Sequence, residues 1–176
     1  MDESWLYYKL GEKALSEKQS TLVILKDTRG LNEAYSKGFI SHLHPTTVYF
    51  TLARSAEKIS IPMNAGNMLW IDASGAPVGI VPDFQVTRVP SLKNLVSLSA
   101  LFGTIASGGN HSFIVINSLN ELLASVGAEK ASAFVNFLVR RMDYAGTGSL
   151  FFVLENEKTA AFILQISPFF DKILRV

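Results

Sequence analysis

This chain has no cysteine. It can build no disulfide framework, thiol nucleophile or Cys-based metal site. Neither sign of charge prevails: 16 Lys plus Arg stand against 15 Asp plus Glu, for a formal net charge of +1. That balance removes the main electrostatic argument for a nucleic-acid binder. Histidine is scarce, at 3 residues, which leaves little for a His-rich metal centre. Long apolar runs are missing too. The most apolar stretch, Leu92 to Ile105, is broken by Lys93, Asn94, Ser97, Ser99 and Gly103, and falls short of the roughly 20 residues of a membrane span. The opening residues, Met1-Asp2-Glu3-Ser4, are acidic and lack the basic start of a secretory signal. A cytoplasmic protein with no membrane partner is expected. The sequon Asn110-His111-Ser112 carries no meaning in that setting.

What is present is apolar. Of 176 residues, 48% are hydrophobic and only 18% charged, so disorder is excluded and a real core can form. The mean hydropathy of +0.26 is high. The surplus must be buried in the core or at a protein interface. The length suits one domain over residues 1–176, and there is no repeat, low-complexity tract or linker.

Short β-rich runs alternate with helical patterns. Trp5 to Lys18 reads as an amphipathic helix. Thr21 to Lys26 is a continuous apolar strand of the kind buried on both faces of a parallel sheet. Asp27-Thr28-Arg29-Gly30 is a turn, and Leu31 to Leu43 a helix ended by Pro45. Thr46 to Leu52 and Met68 to Asp72 are strands, separated by a polar connection. A loop-like stretch from Ser74 to Pro90 holds a short strand at Gln85 to Val89. Ser91 to Ser107 reads as a helix with Ser91 as its N-cap. Ser112 to Asn117 is a strand, followed by a short helix at Leu119 to Val126. In Ala128 to Tyr144, Ala131, Phe134, Val135, Leu138 and Met142 make one helical stripe. Ser149 to Glu155 and Thr159 to Ile166 read as strands, and Asp171 to Val176 as an edge strand. The expected fold is therefore an α/β three-layer domain, with a mainly parallel sheet and helices on both faces. No helix is expected between the C-terminal strands, so they should add an antiparallel edge.

In such a sheet ligands sit at the carboxyl ends of the strands. The first strand is followed by Lys26-Asp27-Thr28-Arg29-Gly30 and a helix start, where free backbone N–H groups can hold phosphate. A working phosphate loop reads G-x-x-x-x-G-K-[ST], and no such motif occurs in the chain. The turn holds one glycine, and Lys37 lies seven residues past it. The strand at 112–117 ends in Asn117 after four apolar residues, where an Asp would hold magnesium. A neutral amide is a weaker partner for a hard dication.

The order of elements resembles the core of the RecA-like ATPases, nearest to the KaiC-like branch common in archaea. The likeness lies in the strand-turn-helix at 21–43, in Val48-Tyr49-Phe50-Thr51-Leu52-Ala53, and in Phe113-Ile114-Val115-Ile116-Asn117-Ser118-Leu119-Asn120-Glu121-Leu122-Leu123. It continues through the helix at 128–144 and the strand at 149–155. It covers most of the chain and is one of pattern. Against that family, Ala53-Arg54 stand where a catalytic Glu follows the second strand. The phosphate-loop Lys and Ser/Thr are absent, and Asn117 replaces the magnesium-holding Asp. The resemblance therefore implies a degenerate, non-catalytic member, a pseudo-ATPase with no cofactor. Such members serve as subunits or scaffolds, as in the Elongator subcomplex and the recombinase paralogues.

Other constellations weigh less. His42 and His44 are two apart, and only His111 remains to join them, so no metal site is expected. Asp72, Glu155 and Glu157 follow strands; as an acidic pair, Asp72 and Glu155 would suit acid–base chemistry, while the simpler reading is a solvated turn. Ser118 lacks the glycines of a nucleophile elbow. Arg140 and Arg141, with Lys130, make a small basic spot on one helix face. Phe151, Phe152 and Phe162 read as core, and Phe169-Phe170 as an exposed edge suited to an interface.

The sequence thus points to a non-catalytic module that binds a protein partner or itself. The alternative is a nucleotide-binding protein or weak NTPase with an aberrant phosphate loop around Thr28 to Asn32. Any bound nucleotide would rest weakly on the vestigial loop, Asp27, Thr28, Arg29 and Gly30, and on Asn117.

Overall fold

The computed structural model of the chain describes residues 18–26, 47–52, 69–73, 85–89, 91–108 and 113–175. The expected helices at 5–18 and 31–43, save for Lys18 itself, and the turn at 27–30 lie outside these residues.

Seven strands form one sheet: β1 (Ser20–Leu25), β2 (Thr47–Thr51), β3 (Leu69–Asp72), β4 (Gln85–Arg88), β5 (Phe113–Asn117), β6 (Gly148–Leu154) and β7 (Lys172–Arg175). Their spatial order is β4-β3-β2-β5-β6-β1-β7. Every neighbouring pair is parallel. Four helices are described: α1 (Leu95–Ser107), α2 (Leu119–Val126), α3 (Ala128–Tyr144) and α4 (Ala160–Ile166).

The central strands are apolar on both sides, and their residues on both sides are buried. One side carries Leu22, Ile24, Val48, Phe50, Ile71, Ile114, Ile116, Phe151 and Val153 into the main core. Against them pack Leu98 and Phe102 of α1, Phe134, Leu138 and Met142 of α3, and Phe162 and Ile163 of α4. Phe102 is the hinge of this packing, edge-on to Phe50 at 5.0 Å and to Phe134 at 6.4 Å. The other side carries Val23, Tyr49, Trp70, Val115, Leu150 and Phe152, all buried. The described helices all belong to the first side. Their connections, β4 to β5, β5 to β6 and β6 to β7, step across the sheet in one direction. Right-handed crossovers that step one way lie on one face.

Three expectations about secondary structure and strand pairing are corrected. The segment from Thr159 to Ile166 is a helix, not a strand. Asn156 Oδ1 accepts from the N–H groups of Lys158 and Thr159, and Thr159 Oγ1 donates to Leu154 O at 2.8 Å. This knot turns the chain straight out of β6. Phe162, Ile163 and Ile166 are then buried at helical spacing, while Ala160 and Leu164, which a strand would align with Phe162, face water. That helix supplies the crossover a parallel strand needs. Hence the C-terminal edge is parallel, not antiparallel: β7 pairs with β1, Thr21 opposite Lys172. Finally, α1 starts at Leu95. Its N-cap is Asn94, whose Oδ1 accepts from Ser97 N at 3.1 Å. Ser91 instead closes the preceding turn, accepting from Lys93 N at 3.2 Å.

Phe169 and Phe170 pack back on the core rather than forming an exposed edge. Phe170 meets Phe151 edge-on at 5.0 Å. No described helix is long and apolar enough to cross a membrane.

Candidate functional site

From β2 the chain proceeds to β3 on one side, and from β5 to β6 on the other. Adjacent strands whose connections diverge leave a crevice at their carboxyl ends, where α/β proteins bind ligands. Four polar residues end the strands there. Thr51 of β2 is level with Asn117 of β5 and with Asp72 of β3, and Asp72 is level with Arg88 of β4. Level residues of parallel strands point to the same face. The row Arg88-Asp72-Thr51-Asn117 therefore lies on the face of Tyr49 and Trp70, with neighbours about 4.8 Å apart.

This row is held firmly. The backbone ladder runs one residue past the strands: Leu52 N donates to Asn117 O at 2.7 Å, Ala73 N to Thr51 O at 3.0 Å, and Val89 N to Asp72 O at 2.8 Å. Asp72, Thr51 and Asn117 are buried, Asn117 to 1% exposure. Asn117 Nδ2 donates to the Tyr49 hydroxyl at 3.1 Å, and Tyr49 stacks at a tilt on Trp70, 4.7 Å between centroids. Asn117 Oδ1 and Trp70 Nε1 are buried without a hydrogen-bond partner. A buried acceptor left unpaired costs about 1–3 kcal/mol, so the amide oxygen is a ready partner for a donor.

Beyond Asn117 the chain passes through a cis peptide bond to Ser118. Ser118 Oγ donates to Glu121, and Asn120 clamps the end of β6. Asn120 Nδ2 donates to Leu154 O at 3.0 Å, and Leu154 N donates to Asn120 Oδ1 at 2.7 Å. With its hydroxyl engaged by Glu121, Ser118 is a helix-start residue.

The acidic pair does not assemble. The strands of Asp72 and Glu155 are separated by β2 and β5, a lateral distance of about 14 Å. Glu155 instead pairs with Arg175 at 2.6 Å, and its N–H donates to Leu25 O. Asn156 is spent on the turn into α4, and Glu157 is exposed. Arg141 joins helices, donating to Ser107 Oγ at 2.8 Å. Of the expected nucleotide-contacting residues, Asn117 is placed at the crevice; Asp27, Thr28, Arg29 and Gly30, like Ala53, Arg54 and the three histidines, lie outside the described residues. Among the described residues no group of three or more His, Asp or Glu is placed to hold a metal. Sequence reasoning missed Thr51 and Arg88 altogether. The signal was a polar residue at or near the end of each apolar run, which acquires meaning only once strand order is known.

No protein-family model matches the chain, and no curated protein matches it in sequence. In three dimensions it is similar to a KaiC-like protein from the hyperthermophilic archaeon Pyrococcus horikoshii. That crystal structure aligns over 90% of this chain and 71% of its own, with a TM-score of 0.63 and 11% sequence identity. At such identity the likeness speaks to architecture: the chain has a RecA/KaiC-like α/β fold.

Proposed function

We propose that this chain is a non-catalytic relative of the RecA/KaiC-like ATPases, a protein-interaction or regulatory module of an oligomer or larger complex in the cytoplasm. The observation that carries this reading is Asn117. It occupies the end of β5 at the crevice, is buried, and has committed its amide nitrogen to Tyr49. Phosphoryl transfer needs a carboxylate there to hold magnesium against the triphosphate. An amide brings no charge to the task. The sequence adds two further departures, the missing G-x-x-x-x-G-K-[ST] motif and Ala53-Arg54 after β2.

One observation favours the second reading, a nucleotide-binding protein or weak NTPase with an aberrant loop at 28–32. The unpaired Oδ1 of Asn117 can accept from a bound molecule or its water.

Isothermal titration with magnesium-ATP and ADP separates the two. No heat of binding is expected. Binding tighter than about 100 μM, near 5.5 kcal/mol, would overturn the first reading and support the second. Asn117→Asp is expected to leave ATP hydrolysis at background, since one carboxylate does not restore a phosphate loop.

A further inference from the structure

We propose that the groove between α1 and α3 receives an acidic amphipathic helix from a protein partner. The proposal rests on the interaction-module reading and names the surface and the partner chemistry that reading lacks.

The two helices run side by side in the same direction. Leu95 and Val96 of α1 lie against Ala133, Phe134 and Phe137 of α3, and further along Arg141 reaches Gly103 and Ser107. Between them is an open groove of about 400 Å³. Its floor is rigid: Phe134 is buried, held edge-on by Phe102, and stacks with Phe137 at 6.4 Å and 20°. Its walls are apolar yet open to water. Val96 is 81% exposed and Phe137 38%.

The exposed stripe of α3 continues past the groove. Lys130, Ala133, Phe137, Arg140 and Tyr144 follow one another at three- or four-residue steps, and all are exposed. Over that span a helix rises about 21 Å, four turns of a partner. A stripe of this length, with Ala133, Phe137 and Tyr144 between and beside its two cations, fits a helix presenting anchors at i, i+3 or i+4, and i+7.

Charge selects the partner. Lys130 lines the groove and makes no ion pair among the described residues. Arg140, ten residues on, donates only to the neutral Asn136 amide. Two uncompensated cations, about 15 Å apart along the axis, bracket an apolar centre. The complement is a helix with carboxylates about ten residues apart around its own apolar stripe. A second copy does not supply this from its described helices. α1 and α4 contain no acidic residue, Glu121 of α2 is engaged by Ser118, and the two carboxylates of α3, Glu129 and Asp143, stand at its extreme ends rather than about ten residues apart. A small apolar ligand is disfavoured because an open trough cannot enclose it. Two cations, with Glu129 and Asp143 on the same helix, are too few for nucleic acid.

The test uses the full chain and two fluorescein-labelled helical peptides, read by anisotropy. Both carry Leu at the anchor spacing; one has Glu ten residues apart flanking the stripe, the other Lys at those places. The Glu peptide is expected to bind and to weaken with salt. Phe137→Ala should weaken it at least about tenfold, and Lys130→Glu with Arg140→Glu should transfer the preference to the Lys peptide. These residues are exposed, and an unchanged melting temperature checks that the variants fold. Failure of the Glu peptide to bind at about 1 mM would overturn the proposal. So would equal binding of both peptides, or tighter binding of an oligothymidine strand. A silent peptide beside a silent ATP titration sinks this surface alone. ATP binding with a bound peptide sinks the non-catalytic reading and keeps the surface.

Discussion

Asp143, near the end of α3, is partly withdrawn from water and lies in the field of Asp171. Burial first, and then the like charge of Asp171, push its carboxyl above the ordinary aspartate value. The folded state thus holds this proton more tightly than the unfolded chain. Its contribution to stability is present in full below the ordinary value and is lost as pH rises through the raised one. Asp143→Asn is expected to remove that loss and to raise the melting temperature near neutrality. Thermal unfolding of both proteins from about pH 3 to pH 7 checks the sign; a difference that stays constant across the range rejects the assignment. Residue chemistry of this kind was only half legible in the sequence. Asp72 and Glu155 each follow an apolar run, and nothing in either run says that two strands come between them. That an amide ends the fifth strand, at Asn117, was legible. Its bond to Tyr49 was not, because a contact across 68 positions depends on register.

Elements were legible where their period was unambiguous. The stripe from Ala131 to Met142 fixed α3 at Ala128–Tyr144, since no strand buries residues at those steps. The segment from Thr159 to Ile166 misled because Phe162, Ile163 and Ile166 are β-formers, and a seven-residue helix shows too little period to outvote them. Its true signal was the Asn156–Thr159 knot that starts the helix. The edges of elements also carry steric demands that composition hides. β6 begins at Gly148, level with Phe113 of β5. A Cβ there would stand 2.7 Å from two atoms of the Phe113 ring. Gly148→Ala should therefore cost about 1–3 kcal/mol through overpacking, read by urea denaturation. Adding Phe113→Leu should recover part of the loss; no recovery would mean that the backbone of Lys18, and not the ring, is the obstacle.

At the scale of the whole molecule, the sheet is joined by residues far apart in sequence. Asp171 Oδ2 accepts from both the N–H and the hydroxyl of Ser20 at 2.9 Å, across 151 positions. Ser20 is buried. Asp171→Ala leaves its N–H unpaired and is expected to cost about 1–3 kcal/mol. Amide hydrogen exchange at Ser20 should accelerate while that of β2 keeps its rank; uniform acceleration would show a global effect instead. The order of strands has a further consequence, for synthesis. β1 pairs with β6 and β7, the two described strands that follow it at the greatest distance in the chain. A nascent chain carries Leu22, Val23, Ile24 and Leu25 unpartnered until residues beyond Gly148 have left the ribosome. Between the synthesis of β1 and that of β6 these side chains lack their ladder neighbours, an interval in which the chain is expected to depend on shielding.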